Sequence, residues 1–383
     1  MMEFRLSEEQ EALRAEVAKF AKEKVEPGVI ERDEKGEYPT ELYQELGKKG
    51  WVGMAFPKEF GGQGKDYLSY ATIVEELSKI DATLGITISV CASLYSGSVM
   101  YSQATDEQKK KYLTEILQGQ AWGSFGLTEP NAGSDAGGCI TTATKNSDGT
   151  YTLNGLKCFN TNGPLAKYTI IYALTEPELK AKGLSCFVVS KDTPGVSVGK
   201  VENKMGLRSL QVSEIILENA VVPAEALISP TGQGFKTAMK TLDAGRIGVA
   251  AQGLGIAEGA FDKAVEYMKV REQFGKPIYK NQYLQFEMAD LKMQIEQAKL
   301  LLHKAAFEYE QHIPTFGLTA AMAKYACTNA AMHVSERAVQ FMGGNGYMKE
   351  YHVERMMRDA KITMVYEGTN EIQKLIVGTS IFR

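Results

Sequence analysis

YTIIYAL (residues 168–174), LSCFVVS (184–190), GVSVGKV (195–201) and VSEIILENAVV (212–222) follow one another with no helical pattern between them. Each run is short, rich in β-branched or aromatic residues, and bounded by Gly, Pro, Asp or Asn, as strands and their turns are. Tyr151-Thr-Leu-Asn-Gly155 reads as a further strand entering a turn. Successive strands without intervening helices predict an antiparallel β region rather than a βαβ series.

On both sides of this region the period changes from two to 3.6. Ser7 and Gln10 have capping-box spacing, and Leu13, Val17, Phe20 and Val25 recur at helical intervals until Pro27. TELYQELGKKGW (40–51), LSYATIVEELSKI (68–80) and TDEQKKKYLTEILQG (105–119) continue the helical pattern, the first two separated by the loop AFPKEFGGQGKD. After about Gly234 come three long helical patterns, 235–274, 281–311 and 318–343, and then one shorter helix that ends the chain. Helices and strands are segregated along the sequence, so the expected class is α+β. The expected units are a helical domain (residues 1–121), a β domain (122–233) and a helical bundle (234–383). A length of 383 residues agrees with two or three such units.

Composition narrows the function. A net charge of −4 gives no basic footprint for nucleic acid or for an anionic membrane. The five cysteines, Cys91, Cys139, Cys158, Cys186 and Cys327, include no CxxC pair and read as buried thiols of an intracellular protein. The four histidines form no HxxxH or HExxH motif, which speaks against a metal site. No apolar run reads as a bilayer span, and the acidic start MMEFRLSEEQ is unlike a signal peptide. A cytoplasmic protein is expected.

Gly253-Leu-Gly255-Ile-Ala-Glu-Gly259 is close to a dinucleotide-binding fingerprint, but its last spacing is one residue too long and it lies within a helical pattern. Glycines there serve close helix packing, so any bound dinucleotide is not held by a Rossmann fold.

Four stretches carry chemistry. In Phe125-Gly-Leu-Thr-Glu-Pro-Asn-Ala-Gly-Ser-Asp135, backbone amides near Ala132, Gly133 and Ser134 suit a phosphate oxygen, although a tight surface turn would read the same way. Arg271-Glu-Gln-Phe-Gly-Lys-Pro277, followed by Gln282, breaks two helices. Gly and Pro suit a helix hairpin at that corner, which does not account for the arginine, phenylalanine and glutamine gathered there; those suit a phosphate and an aromatic ring. Gln340-Phe-Met-Gly-Gly-Asn-Gly-Tyr347 offers bare backbone to something flat or large, or else is a helix cap and linker. Val365-Tyr-Glu-Gly-Thr-Asn-Glu-Ile-Gln373 sets a carboxylate, Glu367, between an aromatic residue and a glycine.

FGLTEPNAGSDAG (125–137), KCFNTNG (157–163), LDAGRIGVAAQGLG (242–255), REQFGKP (271–277), QFMGGNGY (340–347) and RDAKITMVYEGTNEIQ (358–373) occur in the order and spacing of one family. Over essentially its whole length the chain resembles an acyl-CoA dehydrogenase, of the short-chain, butyryl-CoA type. The resemblance implies an N-terminal helical domain, a middle β domain and a C-terminal four-helix bundle. It implies FAD as cofactor, an acyl-CoA substrate, electron-transferring flavoprotein as redox partner, and a homotetramer in which each FAD site is shared by two subunits.

By the same resemblance, Phe125, Leu127, Thr128, Phe159 and Thr161 lie along the flavin ring, and Ser134 near the pyrophosphate and CoA. Arg271, Phe274, Gln282, Gln340 and Gly344 come from a neighbouring subunit, and Thr369 and Glu371 complete the cofactor contacts. Asp243 and Arg246 match positions that hold CoA, and Gly368 leaves room for the thioester. Glu367 matches the catalytic base, which takes a proton from Cα while a hydride leaves Cβ for flavin N5. Such a base needs burial and a raised pKa. In some members the base sits on the long helix instead. The matching position here is Gly245, which has no side chain to offer.

The chain departs from the family pattern in three places. Asn160 replaces an apolar residue beside the flavin-contacting stretch and bears on hydrogen bonding near the ring. SVCASLYSGSVMYSQATDEQ (89–108) lacks the usual proline and carries one extra residue, and Tyr95 and Tyr101 there either shorten the acyl pocket or line it for an aryl group. MGLRSLQVSE (205–214) differs from the usual hydroxyl-rich run. Alternatives to butyryl-CoA oxidation are a reductase acting on an enoyl-, acrylyl- or aryl-acrylyl-CoA with a bifurcating electron-transferring flavoprotein, and a non-catalytic scaffold. An oxidase is a further alternative, disfavoured because the chain stops ten residues after Gln373.

Overall fold

The computed structural model describes residues 5–382; the acidic start of the chain falls partly outside them. Ser7 Oγ accepts from the Gln10 N–H at 3.2 Å and Gln10 Oε1 accepts from the Ser7 N–H at 2.9 Å, closing the expected capping box in front of α1 (Glu8–Phe20). The helical part continues through α2 (Val29–Lys35), α3 (Thr40–Lys48), α4 (Tyr67–Ser78), α5 (Ala82–Ser89), α6 (Gly97–Tyr101) and α7 (Asp106–Leu117). A π turn, Val90–Ser96, joins α5 to α6 and accommodates more residues than an α turn would. The run Ala82–Tyr101 therefore forms 20 continuous helical residues, long and apolar enough by composition to cross a bilayer, contrary to the expectation that no run is. It is apolar all round because it is a core helix, buried almost throughout.

The strands are β1 (Trp122–Gly126), β2 (Thr142–Lys145), β3 (Tyr151–Thr161), β4 (Ala166–Leu174), β5 (Leu184–Ser190), β6 (Val196–Val201) and β7 (Val212–Val222). Their order is β1-β4-β2-β3-β7-β6, with β5 also on β4. The sheet is mixed, a correction to the antiparallel reading: β1 and β2 both run parallel to β4, and the remaining ladders are antiparallel. Parallel neighbours need a long crossover, which the β2–β3 hairpin supplies between β1 and β4. On β4, Ile170, Tyr172 and Leu174 point into the large helical core while Ile171 and Ala173 point into a smaller core of the sheet. Burial on both faces explains why this strand reads as an unbroken apolar run.

The C-terminal part is built on α8 (Gly234–Val270), α9 (Gln282–Glu310) and α10 (Phe316–Met342). The expected single last helix is two, α11 (Val353–Thr363) and α12 (Asn370–Ile381), both packed on α10. Glu367 (φ 52°) and Gly368 (φ 90°) are left-handed, and no α-helix passes through such residues. The glycine-rich stretch 253–259 lies inside α8 as expected. A Cβ on Gly253 would come within 3.1 Å of the Cys327 carbonyl, so the missing side chain lets α10 approach. Buried Glu75, Glu76 and Glu258 are matched by Arg14, Lys79 and Lys299, which ties α1, α4, α8 and α9 together. All five cysteines are buried free thiols.

Candidate active site

The turn between α11 and α12 presents Glu367. The Tyr366 N–H donates to the Ile362 carbonyl at 3.1 Å and the Asn370 N–H to the Met364 carbonyl at 2.9 Å, so the turn is tied at both ends. Although the residue is only partly buried overall, both carboxylate oxygens of Glu367 are closed off from solvent and, among the described residues, accept no hydrogen bond. Burial raises its pKa to about 7, opposed by the positive charges of Lys324 and Arg246. A Cβ on Gly245 would collide with Glu367 Oε2 and come within 2.9 Å of Leu94 Cδ2. The carboxylate thus occupies the space over the bare position of α8. The Tyr366 hydroxyl is held by Gln252 of α8.

Arg246 is buried and paired with Asp243 on the same helix. Burial lowers the pKa of Arg246 and raises that of Asp243, and each one's charge opposes the other's shift. The Gly368 carbonyl accepts from Lys324 Nζ at 2.9 Å and from Gln373 Nε2 at 2.8 Å. Thr369 caps α12 by accepting from the Ile372 N–H at 3.3 Å, and Glu371 is exposed in the first turn. The fold thus brings Arg246, with its partner Asp243, and the turn residues Gly368 and Thr369 to the buried carboxylate of Glu367.

A second group lines the strand ends. The Cys158 N–H donates to the Thr128 carbonyl at 2.8 Å and Ser124 Oγ to the Thr161 carbonyl at 2.7 Å, which lays the 125–128 stretch beside 159–161. Leu127 is buried, Phe125 packs edge-on to Tyr172, and Phe159 is 66% exposed on a left-handed residue at a register shift of the β3–β7 ladder. Ser134 is exposed, and the backbone of neighbouring Gly133 is open to approach. Asn160 turns inward: its amide donates to the Lys157 and Ser213 carbonyls, both at 2.9 Å. Exposed phenyl, half-buried Thr128 and Thr161, and bare glycine backbone fit a flat ring followed by a phosphate.

A third group is remote. Arg271, Phe274 and Gly344 line an open cleft of about 460 Å³, with Tyr267 and Asn345 joined across it at 2.9 Å. Gln282 and Gln340 are exposed on helices flanking it. Phe274 is 97% exposed with φ 53°. Arg246 lies about a third of the way along α8 and Arg271 caps its C-terminus, about 37 Å away at 1.5 Å per residue. One chain does not bring this group to Glu367.

Sequence reasoning missed Lys324, Leu94, Gln252 and Gln373. The only signal for Lys324 was a lone charge in the otherwise small, apolar run TAAMAKYAC. Tyr95 lies against Gly123 and its hydroxyl donates to the Tyr112 carbonyl at 3.1 Å, whereas Leu94 Cδ2, like Glu367 Oε2, lies beside the bare position of Gly245.

Similarity to known proteins extends over the whole chain. Residues 7–120, 124–220 and 232–382 match the models of the N-terminal, middle and C-terminal domains of acyl-CoA dehydrogenase. The chain is 47% identical to the short-chain specific acyl-CoA dehydrogenase of Clostridium acetobutylicum, with all of both chains covered. It is 48% identical to the solved butyryl-CoA dehydrogenase of Megasphaera elsdenii, with a TM-score of 0.97 and full coverage of both chains. A third similar chain, 46% identical at TM-score 0.97 and again fully covered, belongs to a structure described as "Electron transferring flavoprotein of Acidaminococcus fermentans: Towards a mechanism of flavin-based electron bifurcation".

Proposed function

The chain belongs to the acyl-CoA dehydrogenase family, and from that premise we propose that it interconverts a short-chain acyl-CoA and its 2,3-enoyl-CoA, with Glu367 as the base at Cα. The observation that carries this reading is the buried, unpartnered carboxylate of Glu367 with a pKa raised to about 7. A Cα proton beside a thioester is weakly acidic, and a desolvated carboxylate titrating near neutrality is a suitable acceptor for it. Gly368 leaves space beside the base, and the Glu367 N–H is available to the thioester oxygen, where charge builds as the proton leaves. Arg246 and Asp243 would meet the CoA portion.

Phe125, Leu127, Thr128, Phe159 and Thr161 would hold the FAD ring and Ser134 its pyrophosphate, with Thr369 and Glu371 beside them. When bound, FAD supplies the hydride acceptor at Cβ. Arg271, Phe274, Gln282, Gln340 and Gly344 would serve the FAD of a neighbouring subunit, because α8 sets Arg271 about 37 Å along its axis from Arg246, whose charge acts on this chain's own base. Self-association has further support in α9, where exposed Phe286, Met293, Leu300 and Phe307 recur every seven residues as one apolar stripe. A homotetramer is the assembly we propose. Electrons would pass to or from an electron-transferring flavoprotein, and the Acidaminococcus comparison favours, as a second reading, enoyl-CoA reduction with a bifurcating partner. Five buried free thiols suit a reducing compartment, the cytoplasm.

Anaerobic titration with butyryl-CoA, following the flavin absorbance, tests the reading beside Glu367→Gln. Bleaching in the parent and its loss in the variant is the expected pair of results. Equal bleaching in both removes Glu367 as the base, and an FAD-loaded parent that does not bleach removes the short-chain assignment.

A further inference from the structure

Lys324 projects from the middle of α10 with no exposed surface. Its ammonium donates to the Gly368 carbonyl at 2.9 Å and to Asn370 Oδ1 at 3.0 Å. Thr328 Oγ1 donates to the same Asn370 oxygen at 3.1 Å, and Asn370 Nδ2 donates to Asn329 Oδ1 at 3.2 Å. One face of α10 therefore clasps the residue after the base and the first residue of α12. Among the described residues Lys324 forms no ion pair with a carboxylate.

A buried ammonium among neutral acceptors is costly, by several kcal/mol for an unpaired ion. An arrangement that needed only hydrogen bonds to the turn would be served by an amide or a hydroxyl. What a lysine adds is charge, and the carboxylate on the turn it grips is Glu367. The turn is also strained: a non-glycine residue in the left-handed region costs on the order of 1–3 kcal/mol, and Glu367 sits there at φ 52°. Lys324 and Gln373 together occupy the Gly368 carbonyl and so hold that conformation from outside the turn.

We propose that Lys324 is a positioning residue for the reaction: it locks the Glu367–Gly368 turn from α10 and supplies a positive charge beside the base. This rests on Glu367 being the base. The titratable groups facing Glu367 are Tyr67 and Tyr70 from α4, Arg246 from α8, Lys324 from α10 and Tyr366 beside it, with Glu371 of α12 near Lys324. The tyrosines are all held protonated by burial, and Arg246 already shares its charge with Asp243. Lys324 is the cation without such a partner. Burial lowers its own pKa to about 7, and Glu367 acts to raise it, so each charge supports the other.

The test uses the FAD-loaded enzyme and three variants, Lys324→Met, Lys324→Gln and Lys324→Arg. Two readouts are followed against pH: the rate of flavin bleaching by butyryl-CoA, and the infrared band of the protonated carboxyl that Glu367→Gln lacks. In the parent both should turn over near pH 7. Lys324→Met and Lys324→Gln should move both midpoints up by about one unit or more, so that bleaching at pH 6.5 falls roughly tenfold and recovers at high pH. Lys324→Arg should restore the midpoint. If Lys324→Met does not fold, Lys324→Gln, which keeps a donor for the turn, carries the comparison. Midpoints that stay put in folded, flavin-loaded variants overturn the proposal and leave Lys324 a packing residue. Should bleaching prove independent of Glu367, the base assignment fails, yet the infrared titration still reads whether Lys324 governs that carboxyl.

Discussion

Glu367 and Gly245 share one space: the carboxylate of the α11–α12 turn lies where a side chain on the long helix α8 would be. The two positions are 122 residues apart, and only one of them can carry a side chain into that volume.

Gly245→Ala is therefore expected to act on the base and not on the helix. Alanine favours a helix by about 1 kcal/mol over glycine, but here its Cβ pushes on Glu367 Oε2 and on Leu94. Flavin reduction should slow by roughly 100-fold, as for a misplaced catalytic group, while far-UV dichroism stays that of the parent. An unchanged rate would show that the carboxylate works from elsewhere.

The pH dependence has two signs to check. As base, Glu367 must be ionised, so single-turnover bleaching should rise with pH through about 7. In stability the same group works oppositely. Its folded pKa lies above its unfolded value near 4.5, so the native state holds the extra proton between the two. Stability from this group is present below pH 4.5 and is lost as pH rises through 7. Glu367→Gln should thus unfold at higher urea than the parent at pH 8, by on the order of 3 kcal/mol, with the gap closing towards pH 5. A gap independent of pH would contradict the raised pKa.

Leu94, and not Tyr95, should govern acyl length. Leu94→Ala removes the wall beside Glu367 and Gly245, and the ratio of kcat/KM for butyryl-CoA over octanoyl-CoA should fall by about tenfold or more. Tyr95→Phe removes a hydroxyl bonded to the Tyr112 carbonyl and should cost roughly 1 kcal/mol of stability. The ratio should be as in the parent. The opposite pattern would place Tyr95 in the pocket.

Lys157 and Glu129 form an ion pair at 2.7 Å with both side chains essentially inaccessible. Lys157→Met strands the carboxylate on the Ile140 and Thr141 N–H groups alone, and removing one partner of a buried pair costs about 3–5 kcal/mol. Because the pair anchors Leu127 beside β3, FAD should be lost on gel filtration before the chain unfolds. A double variant, Lys157→Met with Glu129→Gln, should recover part of the melting temperature.

Arg271 and Glu367 should complement between subunits. Arg271→Ala and Glu367→Gln are each expected to be inactive alone, the first through poor FAD retention. Unfolded together and reassembled, they should regain activity, since a mixed site can combine Glu367 of one chain with Arg271 of another. No recovery in verified hybrids would place the third group outside the FAD site.

By itself the sequence determined everything governed by local pattern. The capping box at Ser7 and Gln10, the α+β segregation and the helical reading of the glycines at 253–259 were legible because periodicity and turn chemistry are short-range, whereas the stretch around Phe159 and the base role of Glu367 were implied only by the family resemblance. What only the tertiary structure decided are relations between distant segments. The parallel placing of β1 on β4 depends on a crossover, and the break between α11 and α12 depends on two left-handed residues fixed from α10. The run Ala82–Tyr101 reads alike in a membrane and in a core; its packing alone settles which. The charge of Lys324 meets the turn after Glu367 only once α10 and α12 are packed together, because desolvation and electrostatics act through space and not along the chain.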